Sequence, residues 1–311
     1  MEAGEGIIII GALFVWLFMS LFLQLLINGL IAGAIYALVA SGFSVIYSTN
    51  KFVHFAHGSA IAASAYVLYF LFAGLNLEFW ISAVLAVGFA ALLGFAMNWL
   101  VYSRLREKKA SALILLIASV ALLILIESLI LLVFGADVKT INLIKVERGL
   151  DFFGAIITPL QIVIIAFSVA LLGGLFVFMK KTKLGKAMRA VADNKDAAEI
   201  VGISSRKIYA YSFIIGSAIA GIAGILVALE QNLEPMMGTN LMIKGFTGAI
   251  IGGVGSVPGA ILGSFLLGLS ENFGIWFLPS GYKDAIAFVI LFAFLLLRPQ
   301  GIFGIKKAGS K

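Results

Sequence analysis

KKTKLGKAMRAVADNKDAAEIVGISSRKIYAYS, residues 180–212, is the longest polar run in the chain, and its reading decides what the apolar remainder must be. Thr182 can cap a helix that puts Leu184, Ala187, Met188 and Val191 on one face. Asp193 or Asn194 can then cap a second, shorter helix that Gly202 ends, and Ser204 stands ready to cap the apolar helix that follows. Basic loops fix orientation in most polytopic membrane proteins, but orientation needs charge and no defined fold. The order cap, helix, glycine suits a docking element held on the cytoplasmic side of a bilayer, on which a separate soluble protein can push. Ala197, Ala198, Glu199 and Gly202 form its expected contact surface. The small alanines allow close approach, Glu199 can pair with a basic group, and Gly202 supplies a left-handed turn that a Cβ would oppose.

On both sides of this loop the chain reads as membrane. Hydrophobic residues make up 62% and charged residues 12%, with a mean hydropathy of +1.13, which excludes a water-soluble globular domain. The expectation is an all-α polytopic protein, one transmembrane domain over residues 1–311 in the cell's inner (plasma) membrane. With no cysteine there are no disulfides, thiolate nucleophiles or thiolate metal sites. The net charge of +7 is not a nucleic-acid footprint, because Lys and Arg lie in short loops at span ends, where they face anionic lipid and set topology.

Met1–Gly6 carries two Glu and no Lys or Arg, so the apolar run Ile7–Ile27 reads as a retained membrane helix, broken at Asn28 and Gly29. Further spans are expected at Leu30–Ser48, about Gly58–Ala73, Phe79–Val101, Ala112–Phe134, Pro159–Met179, Phe213–Glu230 and Asp284–Leu297. Arg104, Arg106, Lys108 and Lys109 mark one cytoplasmic loop, and Arg298, Lys306, Lys307 and Lys311 a cytoplasmic tail. Gly135–Thr158 mixes Asp137, Lys139, Lys145, Glu147, Arg148 and Asp151 and falls outside.

Parity then fails between Lys244 and Tyr282, since a single crossing there would put the tail on the wrong side. FTGAIIGGVGSVPGAILGSFLLGL, residues 246–269, is interrupted by glycines and Pro258, so two half-helices meeting inside the membrane are expected. NKFVHFAHGS, residues 50–59, is a second interruption in the other half of the chain. That makes about eight or nine spans with two broken or re-entrant elements. Paired breaks point to a transport pathway, here lined by His54, Phe55, His57, Gly58 and Ser59 from one and by Gly252, Gly253, Gly255, Ser256, Val257, Pro258 and Gly259 from the other. A loop and a tight small-residue helix contact would give the same pattern. Glu127 lies inside an apolar span, where a carboxylate needs a partner and serves either structure or transport. His54 and His57 lack the third ligand a metal needs, and no phosphate loop or nucleophile–base set is present, so neither metal, cofactor nor enzymatic activity is expected.

NGLIAGAIYALVASGFSVIYS followed by FVHFAHG, the loop LGKAMRAVADNKDAAEIVGIS, then FTGAIIGGVGSVPGAILGSFLLGLSE and YKDAIAFVILFAFLLLRPQGIFG resemble, in that order, the membrane permeases of branched-chain amino-acid ABC importers. The resemblance runs from about Gln24 to Gly304, with His54 where the family usually has Asn. It implies a type II importer-like permease subunit that pairs with a second homologous permease, two cytoplasmic ATPase subunits and an extracytoplasmic binding protein for leucine, isoleucine and valine. Relatives for another small amino acid or for amide and urea-like solutes share much of this pattern. An ion-coupled secondary transporter would need buried acidic ligands, of which the chain offers Glu127, with Glu230 and Glu271 near span ends. A channel would need a ring-forming filter. Neither uses a capped cytoplasmic helix.

Overall fold

Side-chain caps set where several of the helices begin. In the structure, a computed structural model that describes residues 2–141, 143 and 149–303, Glu78 accepts from the Ile81 amide at 3.2 Å and starts α3 (Phe79–Met97). Thr158 and Gln161 form a reciprocal capping box around Pro159 at the head of α6 (Pro159–Lys181). Thr182 caps α7 (Lys183–Asp193) and Asn194 caps α8 (Lys195–Ile200), each accepting an amide hydrogen at 3.0 Å. Ser204 precedes α9 (Ser205–Glu230), but its side chain makes no cap bond. The neighbouring Ser205 hydroxyl donates to Glu199 instead.

The first helix corrects the expected break at Asn28 and Gly29, because α1 runs without interruption over Glu2–Asn50. Asn28 stays helical, accepting from the Gln24 side chain one turn earlier at 3.1 Å. Gly29 serves a helix contact, since a Cβ there would fall 2.9 Å from the Leu269 side chain. After α1 the chain continues through α2 (His57–Tyr69), α3, α4 (Ser103–Glu107) and α5 (Ala112–Phe134). A small antiparallel hairpin, β1 (Leu150–Phe152) with β2 (Ala155–Ile157), precedes α6. The last helices are α10 (Met237–Gly252), α11 (Val257–Gly274) and α12 (Lys283–Leu297). Among the described residues seven helices are long and apolar enough to cross a membrane, or eight if α10 and α11, bent 114° from one another, are one span. Lys145, Glu147, Arg148, Lys306, Lys307 and Lys311 lie outside the described residues.

The bundle has an inner set of helices, α1, α2, α9, α10 and α11, whose packed faces are rich in glycine, alanine and serine. Around it stand α3, α5, α6 and α12, which turn Val84, Leu132, Val163 and Leu297 outward. Such a surface is wrong for water and right for lipid, where close backbone approach rather than burial from water holds helices together. One end of the bundle carries Arg104, Lys108, α7, α8 and Arg298; the opposite end carries the β-hairpin and the start of α12. We call these the basic end and the hairpin end.

Two half-helices were expected between Phe246 and Leu269, and α10 and α11 are such a broken pair, folded back at the break, with arms of 16 and 18 residues that extend roughly 24 and 27 Å at 1.5 Å per residue. Gly252 faces Gly259, Gly248 faces Ser264, and Lys244 faces Glu271. A Cβ on Gly252 would lie 2.6 Å from the Ala260 amide nitrogen, so only glycine lets the arms stay in contact up to the turn. That turn sits at the basic end, where the Ile302 and Phe303 amides after α12 donate to the Ile251 and Gly252 carbonyls at 2.9 and 3.0 Å. The tail thereby satisfies backbone groups that the end of α10 leaves open.

Candidate functional site: paired chain breaks, a polar helix pair and a charged cavity

Both chain breaks come together. Val53 and Phe55 pack in one cluster with Phe246, Val254 and Tyr47, and the rings of Phe55 and Phe246 lie 5.7 Å apart. The same surroundings hold Gly255, whose nearest neighbour beyond its own turn is Tyr47. Within this neighbourhood the predicted residues differ in exposure. His54, His57, Gly58 and Ser59 are buried; Gly252, Gly253, Val257 and Gly259 are buried as well, whereas Gly255 and Ser256 are partly open and Pro258 is exposed.

The histidines are anchored rather than free. The Tyr102 hydroxyl and His54 Nδ1 bond at 3.0 Å, and His57 Nε2–H donates to the Val39 carbonyl at 3.2 Å. The rings of Phe52, Phe213 and Tyr102 surround His54. The helix-start amides of His57 and Gly58 donate to the His54 and Phe55 carbonyls, and that of Gly259 to the Ser256 hydroxyl. The loop geometry at each break uses these donors locally. Beside the first break, Arg106 ties α4 to α1 by donating to Asn50 at 2.5 Å, and its guanidinium lies 4.5 Å from the Tyr209 ring of α9.

At the basic end the polar stretch folds as two capped helices. Met188 and Val191 of α7 are buried in the core, as an amphipathic helix requires. On α8, Ala198 turns inward, while Ala197, Glu199 and Gly202 are exposed. Gly202 has φ +86°, the left-handed turn that ends α8. Ile200 and Val201, which residue pattern did not single out, stand 87% and 73% exposed in this otherwise hydrated stretch.

Between α1, α10, α11 and α12, toward the hairpin end, lies a cavity of about 430 Å³. Lys244 reaches Glu271 at 2.5 Å and Asp284 at 2.7 Å, and the Tyr36 hydroxyl donates to the other Glu271 oxygen at 2.9 Å. The Glu271 side chain is 1% exposed and that of Lys244 10%, while Asp284 is 75% open. A buried carboxylate holds its charge only with such partners. Glu271 was read as a residue near a span end; the structure buries it in an ion-paired network whose other members, Lys244, Asp284 and Tyr36, were not identified from sequence. Glu127 stands apart, half-buried on α5, and accepts from the Thr239 hydroxyl of α10 at 2.6 Å.

Taken together, the apolar helices and their packing define a multi-pass membrane protein. Residues 25–295 match the family described as "Branched-chain amino acid transport system / permease component". The chain belongs to that family. It is 33% identical over 288 residues to the high-affinity branched-chain amino acid transport system permease protein BraD of Pseudomonas aeruginosa, covering 88% of this chain and 92% of that protein. To LivH of Escherichia coli K12 it is 32% identical over 287 residues, covering 88% and 92%. To the probable branched-chain amino acid transport permease protein LivH of Methanocaldococcus jannaschii it is 31% identical over 286 residues, covering 86% and 88%. Among solved structures, PsaBC from Streptococcus pneumoniae in complex with Fab aligns with a TM-score of 0.49 at 15% identity, over 91% of this chain and 94% of that one.

Proposed function

We propose that this chain is the permease subunit of an ATP-driven importer of leucine, isoleucine and valine. The observation that carries the reading is family membership over residues 25–295, nearly the whole membrane domain. The chain is a transport subunit, and ATP is hydrolysed on partner chains. Two cytoplasmic ATPase subunits, a second related permease and an extracytoplasmic binding protein complete the assembly.

In this reading the basic end is cytoplasmic, by the bias of Lys and Arg toward that side. Residues 180–212 form the coupling loop, and Ala197, Glu199 and Gly202 meet the ATPase, with Ala198 packed behind them. The exposed apolar pair Ile200 and Val201 favours this role over a plain orienting loop, because apolar side chains bare to water mark interaction surfaces. The pathway passes the paired breaks, His54–Ser59 and Gly252–Gly259, at the interface with the second permease.

The test is affinity purification of the tagged full chain in mild detergent from its native membrane. The reading expects two copies of an ATPase and a second, related permease in the eluate. A chain that purifies alone and drives uptake from an ion gradient would instead be a secondary transporter.

A further inference from the structure

We infer that the cavity beside Lys244, Glu271 and Asp284 is a docking site for the zwitterionic head of an α-amino acid, met before the solute reaches the paired breaks. The inference rests on the proposed transport function and adds a site to it. Four features of the cavity support it.

Its volume, about 430 Å³, falls within the range of small-molecule sites, roughly 300–1,000 Å³. Its lining mixes two chemistries: Ile35, Val227, Met237 and Leu241 are apolar, and Glu234, Lys244, Glu271, Lys283 and Asp284 carry charge. An apolar wall with a few fixed charges suits a branched aliphatic side chain carried on a charged head.

The charges are also unequal in what they can offer. Lys244 is already engaged by two carboxylates, at 2.5 Å and 2.7 Å. Glu271 is enclosed by Lys244 and Tyr36. That leaves Asp284, whose side chain is 75% exposed, and Glu234, exposed on the cavity rim, to receive an ammonium group. Lys283, held at 3.1 Å by the Asn272 carbonyl oxygen, is placed to receive a carboxylate.

Finally, the lining groups Glu234, Glu271 and Asp284 against Lys244 and Lys283 sum to three negative and two positive charges, a net of −1. This balance admits a zwitterion or an amine and rejects a lone carboxylate.

Because the chain has no cysteine, Asn240→Cys on the cavity wall gives a single labelling site. In nanodiscs holding the complete complex without binding protein, L-leucine should slow maleimide labelling of this cysteine. At ten times the half-protecting concentration the slowing should be about elevenfold, as single-site occupancy requires. 3-Methylbutylamine should also protect, and 4-methylpentanoate should not. Glu234→Gln and Asp284→Asn, each added to Asn240→Cys, should raise the half-protecting leucine concentration at least several-fold. Glu234 makes no bond to Lys244, Glu271 or Asp284, so its variant leaves the Lys244 network whole. If 4-methylpentanoate protects as well as leucine, or both variants protect like the parent, the head-group site is overturned. ATP-driven leucine uptake by the parent complex, measured in parallel, separates the two readings. Uptake without protection overturns the site alone, and absence of uptake overturns the transport function.

Discussion

Lys244 Nζ lies 2.5 Å from Glu271 Oε1, a bond between residues 27 apart in sequence that joins the two arms of the α10–α11 pair away from their glycine turn. The bond decides what happens when either partner is lost. Lys244→Met would leave Glu271 buried with only the Tyr36 hydroxyl, and removing one member of a buried pair costs about 3–5 kcal/mol. Thermal unfolding in detergent should show a clear drop in midpoint for Lys244→Met and a smaller one for Glu271→Gln, whose amide oxygen still accepts from Lys244. An unchanged midpoint for Lys244→Met would mean that the network contributes nothing to the fold.

At the other end of the same pair, contact depends on the missing Cβ. Gly252→Ala would press a methyl group on the backbone of the opposite arm, an overpacking of roughly 1–3 kcal/mol, and should lower the yield of folded protein. Gly259→Leu is expected to be worse and to abolish transport. Gly88→Ala, on the outer face of α3 with nothing within 4 Å, should be neutral in the same folding assay.

Much of this was legible in the residues. The cap at Thr182, a second cap at Asp193 or Asn194, the interruption after Gly252 and the spans of α3, α5 and α6 all follow from local signals, because capping and apolar length act within a few residues. The continuity of α1 did not, since Gly29 reads as a breaker until its neighbour Leu269 is known. Nor did the Lys244 network, as its members come from four helices and no periodicity links them. A lone lysine between Ile243 and Gly245 in an apolar helix and Glu271 near a span end were the available signals, and folding back about the glycine turn would have pointed one toward the other.

The turn after α8 gives a prediction for coupling. Gly202 sits at φ +86° with open space around it, so Gly202→Val meets only backbone strain, roughly 1–2 kcal/mol. The variant should insert and assemble normally yet lose transport and stimulated ATP hydrolysis together, whereas Gly202→Asn should keep much of both. A Gly202→Val protein with normal transport would remove α8 from the coupling role.

Orientation can be read from single cysteines. Ile200→Cys, at a position 87% exposed, should react with an impermeant reagent only in inside-out vesicles, and more slowly when the ATPase is bound. Phe152→Cys, on the β-hairpin, should react in intact cells. The reverse pattern would invert the topology.

The proposed function has this chain carry branched-chain amino acids under the power of ATP. Its most direct test is accumulation of radiolabelled leucine by proteoliposomes containing the purified complex and loaded with ATP, with binding protein on the opposite side. Accumulation should depend on ATP hydrolysis, should saturate with leucine, and should vanish when this subunit is omitted or carries Gly202→Val. Leucine uptake that is indifferent to ATP but follows an imposed ion gradient, or that persists without this chain, would rule out an ATP-driven permease subunit.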